Sequence, residues 1–72
     1  MRTSAVPREA VDVYNNALAM SCKGQYSTAL REYRRAIDMF PNFIEAYNNI
    51  GEIYSRMGDR DEAISTYLRA LN

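Results

Sequence analysis

The sequence predicts an all-α protein, with four helices arranged as two tandem antiparallel helix-turn-helix units. Three observations lead there. Shifted against itself by 34 residues, the stretch Val13–Asp38 gives 26 aligned pairs, of which seven are identical: Asn15/Asn49, Ser21/Ser55, Gly24/Gly58, Ala29/Ala63, Tyr33/Tyr67, Arg35/Arg69 and Ala36/Ala70. Average composition would give roughly one or two. Second, each copy carries a short glycine-containing turn, "CKGQ" and "RMGD", between two segments of helical character. Third, the matched residues are mostly small or turn-forming ones at fixed places, as a reused structural unit requires.

The first helix is predicted from about Pro7 to Cys22, because proline suits a first turn where its missing N–H would be unpaired anyway. The second is predicted from about Tyr26 to Met39. Ala29, Leu30, Tyr33, Ala36, Ile37 and Phe40 follow a 3-4-3 spacing that forms one stripe, and Pro41 stops the hydrogen-bond ladder. The third is predicted from about Phe43 to Met57, with Asn42 as N-cap and Glu45 completing a capping box. The fourth is predicted from about Arg60 to Leu71, with Asp59 and Glu62 in the same cap pattern. Gly24 and Gly58 are placed to take the left-handed conformation that closes a helix. Such short turns fold the helices back antiparallel.

A chain of 72 residues bounds the answer to one domain, here 1–72, with units of about 10–43 and 44–72. A single core of this size supplies at most about 3–5 kcal/mol. Nine basic and nine acidic residues leave a formal net charge of zero, which argues against a nucleic-acid partner. There is no His, so the commonest general base and metal ligand is missing. No motif for phosphate cradling, metal binding or nucleophilic catalysis occurs, so neither an enzyme nor a cofactor is expected. Cys22 is the lone cysteine, which suits a reducing, cytoplasmic setting. No apolar run is long enough for a membrane span, and "MRTSAVPREA" lacks a signal-peptide centre.

The 34-residue helix-turn-helix period resembles the tetratricopeptide repeat family. In the second unit Tyr47 fits the family's large position, Ile50-Gly51 fits its Leu-Gly, and Tyr54, Ala63, Tyr67 and Ala70 follow. In the first unit Ala29, Tyr33, Ala36 and Pro41 match, whereas Val13, Asn16, Ala17 and Met20 depart from the pattern of the opening helix. The resemblance implies right-handed superhelical stacking of the units. It also implies a core built from Tyr33, Tyr47, Tyr54 and Tyr67 beside small residues at the helix crossings: Ala17, Ala29 and Ala36, then Gly51, Ala63 and Ala70.

The resemblance further implies a non-catalytic protein-interaction role, with a partner peptide or helix on the concave face made by the first helix of each unit. Carried over, that face holds Val11, Tyr14, Leu18, Ser21 and Cys22, then Glu45, Asn48, Asn49, Glu52, Ser55 and Arg56. Tyr14 and Leu18 have a second reading, packing beneath the N-terminal segment. One subset of the family grips a C-terminal carboxylate through positions that here are Tyr14, Leu18 and Asn49. Only Asn49 matches, which disfavours that mode. Arg31, Arg34 and Arg35 form a basic cluster that is expected to be a solvated face paired with Glu32 and Asp38.

Two units are fewer than the three such arrays usually need. An apolar end face of Ile53, Met57, Ile64, Leu68 and Leu71 is therefore expected to need cover, either within a longer array or in a homodimer. That is the alternative reading: a structural or oligomerisation module.

Overall fold

A computed structural model describes the backbone of residues 6–71 and the side chains of residues 6–70. Four helices follow one another: α1 (Arg8–Cys22), α2 (Tyr26–Met39), α3 (Ile44–Arg56) and α4 (Arg60–Leu71). The hairpin α1/α2 packs along its length, as does α3/α4, and α3 lies against α2 and meets α1 over a shorter stretch. No described strand interrupts this arrangement.

The turns follow from glycine. Gly24 has φ 78° and Gly58 has φ 80°, the only positive φ values among the described residues. After α1 the Gln25 amide donates to the Met20 carbonyl at 2.9 Å and the Gly24 amide to Ser21 at 3.0 Å. After α3 the Asp59 amide donates to Tyr54 at 2.8 Å and Gly58 to Ser55 at 3.0 Å. Both ends are the same Schellman closure, 34 residues apart. The Asp59 carbonyl then accepts the Ala63 amide at 3.0 Å, which opens α4.

The linker between the units departs from expectation. Phe43, not Asn42, occupies the N-cap of α3, and no side chain bonds to the cap. Phe40 is extended (φ −146°) as the residue before Pro41 should be, and its carbonyl accepts the Phe43 amide at 3.0 Å. Asn42 is thus spent in the turn. In exchange the Phe43 ring is buried against Phe40, 6.0 Å between centroids, and Tyr14, 4.9 Å. Burying an aromatic contributes about 1.5–3 kcal/mol, more than the ~1 kcal/mol of a typical cap. Pro7 likewise stands at the N-cap of α1 rather than inside its first turn.

The core runs through both hairpins. Ala10, Val13, Ala17, Ala29, Leu30, Tyr33, Ala36, Phe43, Ala46, Ile50 and Ile53 form one buried cluster. Gly51 shows why small residues stand at the crossings. A Cβ there would lie 2.6 Å from Cε1 of Tyr67, so the absent side chain is what lets the Tyr67 ring lie on α3.

Candidate functional site

The face shared by α1 and α3 carries most of the residues the sequence assigns to partner binding. A cavity of about 640 Å³ opens there, with Leu18, Ser21 and Cys22 from α1, Asn49, Glu52 and Arg56 from α3, and Lys23, Gly24 and Tyr26 from the turn and the start of α2. Leu18 and Cys22 are exposed, so one side offers an apolar and a thiol surface. The other side is polar. Arg56 donates to a Glu52 carboxylate oxygen at 3.2 Å. The hydrogen bond and charge of Glu52 raise the Arg56 pKa, with Tyr26 a lesser neighbour. Glu45, Asn48 and Ser55 are exposed and Val11 is half-buried, but none of these four lines the cavity.

Tyr14 has a structural role at the junction of the two units. Its ring stands 5.6 Å from Tyr33 and 4.9 Å from Phe43. Asn49 Nδ2 donates to its hydroxyl at 2.7 Å and to the Glu45 carbonyl at 3.0 Å. Tyr14 is therefore clamped between units and is half-buried, with only part of its surface left for a ligand. Beneath it the Tyr33 hydroxyl is buried without a hydrogen-bond partner. Burial first, and the neighbouring Tyr14 second, push its pKa up to about 12.

The basic cluster on α2 divides. Arg35 pairs with Glu32 at 2.6 Å. Arg34 donates to the Tyr54 hydroxyl across the α2–α3 junction. Arg31 is exposed, and Asp38 forms no ion pair with the cluster among the described residues. Arg34 also borders a cavity of about 550 Å³ on the other side of α3, where α2, α3 and α4 meet, with Tyr47, Tyr54 and Arg69. Sequence reasoning did not single out this second groove, nor Lys23 and Tyr26 in the first. Tyr26 is four residues beyond Cys22 across the glycine turn, a proximity that becomes visible only once the turn is closed. No cluster of three His, Cys, Asp or Glu suited to a metal occurs among the described residues.

The end face needs one correction. Ile53 does not belong to it: the side chain is 1 % exposed, because its i+3 spacing from Ile50 puts it on the inward side of α3. Met57, Ile64 and Leu68 are exposed as expected, and the Leu71 side chain lies outside the described residues. Tyr67, assigned to the core, is 39 % exposed: one side of its ring lies on Gly51 and the rest is open. Tyr47 and Tyr54 are half-buried, and only Tyr33 of the four is fully enclosed.

A family model described as a TPR repeat matches residues 23–58, and one described as a tetratricopeptide repeat matches residues 46–72. This chain belongs to the tetratricopeptide repeat family. Relatives of the chain include the photosystem I assembly protein Ycf3 of Prochlorococcus marinus strain MIT 9211, 32 % identical over 75 residues, covering 100 % of this chain and 43 % of the relative. The protein of the same name from strain SARG is 34 % identical over 74 residues, covering 99 % and 43 %. That of Synechococcus elongatus is 40 % identical over 50 residues, covering 69 % and 29 %. At its fullest in these three, the chain spans about two fifths of the length of the curated relatives it matches. No described helix is long and apolar enough to cross a membrane.

Proposed function

We propose that this chain is a non-catalytic protein-binding module whose α1–α3 groove takes a peptide or helix of a partner protein. The observation that carries this reading is the cavity of about 640 Å³ that pairs exposed Leu18 and Cys22 with Asn49, Glu52 and Arg56. An apolar patch beside hydrogen-bonding groups matches the mixture that non-obligate interfaces use. Family membership supports it, since stacked helical repeats serve as extended binding surfaces. The relatives are photosystem I assembly proteins by name, which favours a partner held during assembly. A cytoplasmic setting agrees with the lone, exposed Cys22.

The test uses a photo-crosslinking residue at Leu18, in the groove, and another at Arg31, an exposed position on α2. The Leu18 probe is expected to join a protein partner that the Arg31 probe does not. Changing Arg56→Ala, which removes an exposed guanidinium that borders the groove, should weaken that capture several-fold, as loss of a hydrogen bond from a charged group would. Equal capture from both probes, or capture from Arg31 alone, would overturn the reading.

A further inference from the structure

Packing does not account for one polar atom of the core. Tyr33 is 0 % exposed, and its hydroxyl is buried without a hydrogen-bond partner. A phenylalanine would fill the same space and leave no orphaned oxygen. The place of that oxygen relates it to the groove. Tyr33 rises from α2 into the seam between α1 and α3, its ring 5.6 Å from that of Tyr14 on α1. Tyr14 in turn is tied to Asn49 on α3. Cys22 and Glu52 are among the groups whose charge acts on the Tyr33 hydroxyl, and both line the groove, one from each wall. The hydroxyl thus lies beneath the groove floor, with Tyr14 over it.

The polar groups around it define what could meet it. Lys23 and Arg56 border the groove as cations. Asn49 Nδ2 already donates to Tyr14 and to the Glu45 carbonyl. The charged acceptor is Glu52. One of its oxygens takes Arg56 at 3.2 Å, and the other has no partner among the described residues. A ligand group that meets Tyr33 and Glu52 together must accept from the first and donate to the second. An ionised carboxylate has no proton to give Glu52, and the burial that pushes the Tyr33 pKa up to about 12 disfavours negative charge at that depth. An apolar side chain satisfies neither group. A primary amide carries both functions on a short stem.

Access to the hydroxyl requires Tyr14 to turn aside. Tyr14 is half-buried, and the bond from Asn49 holds it. Turned outward, its hydroxyl is solvated, while Asn49 keeps the Glu45 carbonyl. An ordinary hydrogen bond contributes less, net, than an unpaired buried hydroxyl costs. Pairing Tyr33 therefore offsets the release of Tyr14.

We propose that the groove selects a partner residue with a primary-amide side chain, glutamine or asparagine, whose carbonyl accepts from the Tyr33 hydroxyl and whose N–H donates to Glu52 once Tyr14 has turned aside. The inference rests on the α1–α3 groove as the partner site and adds what that site reads. The experiment is an NMR titration of the full chain, isotope-labelled in its tyrosine rings and leucine methyls. The probes are N-acetyl-leucyl-glutamine methylamide and its glutamate and methionine counterparts. The glutamine probe is expected to shift the Leu18 methyls and the Tyr33 ring, and to bind tighter than either counterpart by about fivefold. Tyr33→Phe, checked for unchanged helical circular dichroism, should abolish that preference, and the parent Tyr33 resonance reports independently of the variant. Equal binding of the three probes, or a preference that survives Tyr33→Phe, would overturn the inference, while Leu18 shifts would leave the groove reading standing. Absence of binding by the glutamine probe at millimolar concentration would also overturn it. Shifts centred on Tyr54 instead of Leu18 and Tyr33 would overturn both.

Discussion

Tyr33 carries the sharpest prediction at the scale of a single residue. Its hydroxyl is buried without a partner, so the ring contributes packing while the oxygen contributes a desolvation penalty. Tyr33→Phe keeps the ring and removes the oxygen. It is expected to leave the fold unchanged and to alter stability by no more than about 1 kcal/mol, in the stabilising direction. The pH dependence follows from the same burial. A free tyrosine ionises near 10.0, whereas Tyr33 in the fold holds its proton to about 12. Between these values the unfolded chain releases a proton that the folded chain keeps. Stability contributed by this residue is therefore intact below the lower value and falls as pH rises toward the upper, by about 2–3 kcal/mol in total. Urea midpoints across that range should fall less steeply for Tyr33→Phe than for the parent chain, and equal slopes would contradict the assignment. The identity of Tyr33 as a core residue was legible from its register in the repeat. Its orphaned hydroxyl was not, because that depends on how closely Tyr14 and the second unit close over it.

The glycines decide matters at the scale of elements. Gly24 and Gly58 end α1 and α3 with φ near 80°, and the space around each is open. Alanine there would clash with nothing but would be held in a strained left-handed backbone, at about 1–2 kcal/mol. Gly24→Ala and Gly58→Ala should each lower the thermal midpoint by a similar amount, since both close the same motif. Gly51 differs in cause. Its added Cβ would meet the Tyr67 ring at 2.6 Å, so Gly51→Ala should destabilise by about 1–3 kcal/mol through overpacking. That holds despite alanine's better helix propensity. In Gly51→Ala combined with Tyr67→Ala the loss should be less than the sum of the two single changes, and strict additivity would contradict the contact. Helix ends were readable to within about a residue, because proline and glycine act locally and the repeat gave each turn twice. The Asn42 cap was misread because a local pattern competes with a tertiary one. Phe43 gains more from the Tyr14 and Phe40 rings than the helix loses by forgoing a side-chain cap.

The arrangement of the two hairpins governs everything at the scale of the whole molecule. Two polar links tie them together on opposite sides: Asn49 to Tyr14 on the groove side, and Arg34 to Tyr54 on the other. Neither was legible in the sequence, since the partners are 35 and 20 residues apart and meet only after the hairpins stack. The candidate groove was legible in outline. Leu18, Cys22, Asn49, Glu52 and Arg56 fall where the repeat pattern placed them, while Tyr14 was drawn into the junction by its ring contacts and Ile53 into the core by its spacing. The end face was legible as an apolar excess on the second unit.

The proposed function stands or falls with a partner protein binding in the α1–α3 groove. The most direct measurement is a backbone-amide NMR titration of the isotope-labelled chain with the partner captured from Leu18. Shifts are expected only in Leu18–Tyr26 and Asn49–Arg56, with the cavity around Arg34 and Arg69 unmoved. Shifts centred on Arg34, Tyr54 and Arg69 instead would contradict it and place the partner in the opposite groove.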